Sequence, residues 1–317
     1  PLVCRNGKMQ KLVSFRLTVQ SAAIAASRAS FTPRRSPRTI SSHSVLSTGT
    51  WAKIRVPETG IYQLTDALCR KAGFSNPSRV KIYGYGGALQ PEKLSSDYRS
   101  ETDDLQEVPT CTVNGRRLFH AVGPVGWSSA TAKTRIRNPY SDYGYYFLTE
   151  DDEEPLAVDT ATFVSSFYPT TNDYHTLYEV DDYAWYHGGR NLYDSRLFGV
   201  GTSRAYKLQA SASSASLTIV MSYDNVWQGT VAVNGRNVGT MTVGYASSGS
   251  SLPEGRDSYS KGATKTWTFN VDSLQSDNTV TITQTSGGDV RLDYLSFCFD
   301  TPAPLPDLAT ATFDVPE

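Results

Sequence analysis

This sequence carries no excess charge of either sign. Its 30 Lys+Arg stand against 31 Asp+Glu, a formal net charge of −1, so nothing global draws it to nucleic acid or to an anionic membrane. Charged residues make up only 19%, below the roughly 25% of an ordinary soluble chain. Long apolar runs are also missing. No window approaches the ~18 continuous apolar residues of a membrane helix, so no span is expected. Cysteine is scarce, and Cys4, Cys69, Cys111 and Cys298 show neither CxxC nor zinc-knuckle spacing. Free buried thiols and any of the three possible disulfide connectivities stay open, and no thiol is marked as a nucleophile. What the 317 residues do contain is tyrosine (19), glycine (24) and tryptophan (5). Such a polar, uncharged, aromatic-rich composition suits an extracellular β-protein and argues against disorder or a helical bundle. The length is enough for about two domains.

The patterning agrees with a mainly β chain. Val13, Phe15, Leu17 and Val19 alternate with polar residues, which predicts a half-buried strand. The Ser/Ala/Arg/Pro-rich stretch from Ser21 to Thr39 reads as a linker. One short helix is expected at residues 66–72, capped by Thr65 and stopped by Gly73. Asn114-Gly115 and Asn234-Gly235, each between alternating apolar residues, predict two tight β-hairpins. The acidic run Glu150 to Glu154 marks a domain edge. Beyond it, short strands at 8–12-residue spacing predict a β-sandwich of jelly-roll type. The expected architecture is two β-rich domains, 1–160 and 161–317. The second is a jelly-roll-like sandwich followed by a proline-rich connector (Pro302, Pro304, Pro306, Pro316) toward a further domain. A start at Pro1 rather than Met fits a piece of something longer.

Chemistry is harder to find. His43, His120 and His175 stand in no catalytic pattern, and His187 sits among glycines but has no cysteine near it in sequence. Gly84-Tyr85-Gly86-Gly87 follows a strand as a phosphate loop would, yet no helix opens after it and Pro91 comes too soon. It reads as a tight turn. Asp103-Asp104, Asp151 to Glu154 and Asp181-Asp182 offer oxygen ligands for a structural Ca²⁺, but without the spacing of a calcium loop. Trp127, Trp185, Tyr186 and Trp227 are the candidate ligand-facing aromatics of a sugar-stacking surface, weighed against ordinary core packing.

Several stretches taken together resemble one family. They include Trp51-Ala52-Lys53-Ile54-Arg55-Val56-Pro57-Glu58-Thr59-Gly60-Ile61-Tyr62-Gln63-Leu64 and Val80-Lys81-Ile82-Tyr83-Gly84-Tyr85-Gly86-Gly87. Asp103-Asp104-Leu105, Gly123-Pro124 with Trp127, and Asn138-Pro139-Tyr140 through Leu148 follow, with Gly189-Arg190-Asn191-Leu192-Tyr193 and Arg291-Leu292-Asp293-Tyr294-Leu295 as later landmarks. The series is similar to the N-terminal region of the PorU-type sortases of the type IX secretion system, relatives of the gingipain cysteine peptidases. The resemblance implies a cell-surface, outer-membrane protein that cleaves and attaches secreted cargo through a gingipain-like domain after the β-region. No cysteine here matches that family's nucleophile and His187 lies in the β-region, so no catalytic residue is carried over. The expectation is a non-catalytic β-region with no cofactor. Its partners would be the downstream peptidase domain, cargo with C-terminal sorting domains, or other subunits of the system. A carbohydrate-binding or adhesin-type surface module is the alternative.

Overall fold

The computed structural model describes residues 2–5, 8–11, 41–185 and 191–315. The chain divides into two compact units, Pro1–Ile40 and Ser41–Glu317. In the first, β1 (Leu2–Arg5) and β2 (Lys8–Lys11) form an antiparallel pair with Cys4 opposite Met9. The strand expected over Val13–Val19, the linker after it, and Tyr186 and His187 lie outside the described residues.

The second unit begins with an irregular β-region. Its strands are β3 (Trp51–Val56), β4 (Gly60–Gln63), β5 (Val80–Gly86), β6 (Thr110–Val113), β7 (Arg116–Ala121), β8 (Val125–Trp127), β9 (Arg135–Arg137) and β10 (Gly144–Glu150). They form two three-stranded sheets, ordered β3-β10-β5 and β4-β7-β6, and the small hairpin β8-β9. The core between the two sheets holds Ile54, Val56, Val80, Ile82, Phe119 and Leu148, all buried. Each such side chain contributes roughly 1.5–3 kcal/mol of hydrophobic stabilisation.

Local signals explain much of this region. Asn114 and Gly115 take the positive φ values of 49° and 74° that a two-residue hairpin needs, joining β6 to β7. Helix α1 (Asp66–Lys71) starts at Thr65, whose side chain accepts from the Leu68 amide, and ends before Gly73. Two helices went unrecognised in the sequence. In α2 (Ser96–Glu101) the Ser95 side chain caps the Tyr98 amide, and in α3 (Thr160–Phe167) Asp159 caps Thr162. The α3 sequence is rich in Thr and Ser, poor helix formers. It is held by Phe163, fully buried against Cys111 and Leu118.

The glycine motif 84–87 lies in β5 and just beyond it, not in a phosphate loop. A Cβ on Gly86 would come within 2.3 Å of the Val122 carbonyl oxygen, and one on Gly87 within 2.8 Å of Gly144 Cα. These glycines let two backbones touch.

From residue 175 the chain forms the jelly roll. Its strands are β11 (His175–Glu179), β12 (Ser203–Gln209), β13 (Ala215–Tyr223), β14 (Trp227–Val233), β15 (Arg236–Val243), β16 (Ala263–Val271), β17 (Asp277–Gly287) and β18 (Val290–Cys298). The first pairs with the last, the second with the seventh, and so inward to β14 with β15 at the Asn234-Gly235 turn. The two sheets are ordered β11-β18-β13-β16 and β12-β17-β14-β15, the wrapped-hairpin arrangement of a jelly roll. Leu217, Ile219 and Met221 of one sheet enclose a common core with Val231, Val280 and Ile282 of the other.

The proline-spaced segment after Thr301, expected as a connector, returns across the first β-region. The Gln63 amide donates to the Phe313 carbonyl at 2.8 Å, and Leu308 and Phe313 pack with Phe163. Among the described residues no helix is long and apolar enough to cross a membrane.

Candidate functional site

The residues with the most unusual surroundings meet where hairpin β8-β9 lies on the outer face of the sheet β11-β18-β13-β16. In β9 the usual alternation is reversed. Ile136 is 44% exposed, whereas the Arg135 and Arg137 side chains are only 16% exposed. A strand places residues i and i+2 on one face, so both guanidinium groups point into the seam. They meet a matching pair of the same spacing, Glu179 at the end of β11 and Asp181 just beyond.

The third carboxylate, Asp293, comes from a bulge. Tyr294 pairs with Val220 and Leu292 with Met221, which leaves Asp293 as the extra residue of β18. Leu292 and Leu295 face the sandwich core, so the bulge turns both Asp293 and Tyr294 to the outer face. Arg135 bonds Glu179 and, at 3.0 Å, Asp293, with its guanidinium 4.3 Å from the centre of the Tyr294 ring. Arg137 bonds Asp181 and the exposed Asp142, each at 2.8 Å.

Three buried carboxylates thus face two buried guanidinium groups, and the imbalance shows in their acidities. Burial pushes the Asp293 carboxyl up to about 6, against the opposing pull of Arg135. Burial likewise raises Glu179 against the pull of Arg135, and Asp181 against that of Arg137. Burial alone would lower Arg135, but Glu179 and Asp293 reverse it. The oxygen atoms of Glu179, Asp181 and Asp293 lie within 4.8 Å of one another. Among the described residues this is the group spaced to hold a cation, and the two arginines supply positive charge there. Of the other acidic pairs read from the sequence, Asp104 binds Ser44 and the Val45 amide. Asp151 binds Lys81, and Asp182 binds Ser195.

Beside the ion network, Trp127 stacks on His175 with ring centroids 3.9 Å apart. The imidazole Nδ1 lies 2.7 Å from the Thr171 carbonyl and Nε2 2.8 Å from that of Ala132. His175 stands opposite Cys298 in the β11-β18 ladder, but the Cys298 thiol donates to Ala130 at 3.5 Å. Both ring nitrogens face carbonyls and not sulfur, and burial lowers the imidazole pKa, so the neutral ring donates its one N–H to one of them. His120 stacks on Phe167 instead. Cys69, Cys111 and Cys298 are buried and unpaired, and burial raises the thiol of Cys69 to about 11 and that of Cys111 in the same direction. Neither of those two is poised as a thiolate.

The aromatic candidates stand in separate environments. Trp127 is buried on His175, and Trp227 is 1% exposed in the sandwich core, edge-on to Trp267. Trp185 is half-buried and donates to Ser222 at 2.7 Å. Of the two later landmarks, the second supplies Asp293 itself, with Arg291 3.6 Å from the centre of the Tyr183 ring; of the first, Gly189 and Arg190 lie outside the described residues, and Tyr193 exchanges backbone hydrogen bonds with Tyr183.

Arg135, Arg137, Glu179 and His175 were not singled out in the sequence. The signal was the i, i+2 charge spacing in β9 and at the end of β11, but nothing local shows that 135 and 179 meet.

No family model matches the chain, and no curated protein matches it. Among solved structures, dimeric latent PorU from Porphyromonas gingivalis is similar over 80% of this chain, with 31% identity and a TM-score of 0.61. The chain covers 24% of that protein. A family 35 carbohydrate-binding module from an environmental isolate is similar over 41% of this chain and 90% of its own, with 19% identity and a TM-score of 0.27. CBM35 from Cellvibrio japonicus Abf62 is similar over 39% of this chain and 85% of its own, with 24% identity and a TM-score of 0.26. Likenesses at such TM-scores carry no argument. The first one makes this chain PorU-like over most of its length.

Proposed function

We propose that this chain is a non-catalytic β-region of a PorU-like sortase of the type IX secretion system. It scaffolds a gingipain-like cysteine peptidase domain at the cell surface and engages cargo or partner subunits. The observation that carries the reading is the likeness to PorU at 31% identity over 80% of the chain. The seam supports a scaffold. Arginines, carboxylates and His175 there are joined to one another or to backbone carbonyls, which suits rigid coupling of the first β-region to the jelly roll.

The test is a cleavage assay on a secreted cargo protein carrying its C-terminal sorting domain. The 317-residue chain alone is expected to leave the cargo intact, while the same chain joined to a gingipain-like domain processes it. Turnover by the chain alone would overturn the non-catalytic reading. Full processing by the peptidase domain without this region would overturn the scaffold.

A further inference from the structure

We propose that the seam binds a divalent cation, Ca²⁺ by the nature of its ligands, through carboxylate oxygens of Glu179, Asp181 and Asp293. The ion enters from the cleft between the first β-region and the jelly roll. This goes beyond the sortase reading, and its test does not depend on that assignment.

The arginines leave the group with negative charge to spare. Arg135 engages Glu179 Oε1 and Asp293 Oδ1, and Arg137 engages Asp181 Oδ2 and Asp142 Oδ1. Four carboxylates thus meet two guanidinium groups, and the two charges left over match one divalent ion. No ion pair among the described residues reaches the second oxygen of Glu179, Asp181 or Asp293.

Asp181 Oδ1 shows the deficit most directly. Its side chain is only 8% exposed, and this oxygen is enclosed with no hydrogen-bond donor. The Glu179 carboxyl approaches Asp181 closely enough to share a hydrogen bond, yet when ionised it too can only accept. Tyr294, opposite Glu179 in the β11-β18 ladder and 1% exposed, has a hydroxyl that makes no well-formed hydrogen bond. Buried polar groups are rarely left without a partner. Two carboxylates in contact need a cation or a proton between them.

The donors select the ion. Carboxylate oxygens are hard ligands, suited to Ca²⁺, Mg²⁺ or Mn²⁺ and not to copper. Oxygens of the three carboxylates lie within 4.8 Å of one another. Ca²⁺–O distances of about 2.3–2.6 Å span that separation across one flexible shell, whereas Mg²⁺ demands a tighter octahedron. All three ligands come from one sheet, at the end of β11 and the bulge of β18, so the set is built before an ion arrives. A cleft of about 810 Å³ opens on it, with Arg137, Asp142, Glu179 and Asp181 among its walls. Water in the cleft completes the shell.

The probe is CaCl₂, titrated by calorimetry into the full chain after chelator treatment. One Ca²⁺ per chain is expected, with a Kd of about 10⁻⁴–10⁻³ M, as in extracellular calcium modules. Asp181→Asn and Asp293→Asn keep the side-chain shape and should each weaken uptake at least tenfold. Asp152→Asn, in the exposed acidic run, should leave it unchanged. Acidification from pH 7 to pH 5 should also weaken it at least tenfold, because Glu179 and Asp293 titrate at about 7 and about 6 and take up protons instead. In the unaltered chain, Tb³⁺ should give emission excited through Trp127, which lines the same cleft, and Ca²⁺ should displace it. No saturable uptake by roughly 10 mM Ca²⁺ would overturn the proposal and leave a shared proton between the carboxyls. Uptake unchanged by both seam variants, or no sensitised Tb³⁺ emission, would overturn it as well.

Discussion

The rings of Trp127 and His175 lie face to face, 3.9 Å between centroids and 7° from parallel, at the junction of the first β-region with the jelly roll. The histidine faces a carbonyl oxygen at each nitrogen. Stack and hydrogen bonds tie β11 to the loop after β8 and to the turn before β11.

Replacing His175 by phenylalanine keeps the stack and removes both polar contacts. The neutral ring carries one N–H, so one part-buried carbonyl then loses its donor, at about 1–3 kcal/mol. Thermal unfolding followed by tryptophan fluorescence should show a lower Tm with the native emission spectrum retained. An unchanged Tm would mean that neither contact stabilises the fold.

Arg135→Met leaves Glu179 and Asp293 buried without their shared cation. Breaking such a pair costs about 3–5 kcal/mol, whereas replacing a whole ion group by apolar residues is often neutral. The single variant should be strongly destabilised in urea. The triple variant Arg135→Met, Glu179→Met, Asp293→Leu should recover most of the loss. Equal destabilisation of the two would contradict an energetic origin in the unpaired charge.

Stability should fall as pH rises across the mildly acidic range. The Asp293 carboxyl titrates at about 6 in the fold against an ordinary 3.8. Between those values the folded chain holds a proton that the unfolded chain has released. Unfolding free energy therefore decreases with rising pH, by at most about 1.4 kcal/mol per pH unit for this group, and levels off above the folded value. Glu179 and Asp181, also raised, act in the same direction. Urea midpoints from pH 4 to 8 check the sign, and Asp293→Asn should flatten the slope.

Gly86→Ala should destabilise the first β-region by several kcal/mol. The residue has φ +78°, and the added Cβ would meet the Val122 carbonyl at 2.3 Å. Gly115→Ala, also at positive φ but with nothing within 4 Å, should cost far less. Paired denaturation curves separate close approach from backbone conformation.

What the sequence determined by itself is whatever neighbours in the chain can encode. Both Asn-Gly turns, the Thr65 cap and the alternation of Leu217, Ile219 and Met221 depend on a few adjacent residues, and the structure repeats them. A chain of such hairpins predicts a β-sandwich, and the jelly roll follows that pattern. Helix α3 was hidden because its Thr- and Ser-rich turns are poor helix formers, and only the buried Phe163 holds them. Tertiary structure alone decided the seam. Arg135 meets Glu179 and Asp293 across 44 and 158 residues of chain, and a one-residue bulge, invisible in the sequence, turns Asp293 toward it. Local propensity carries no information about such encounters. Packing brings these groups together, and burial then strengthens their interactions and shifts their acidities.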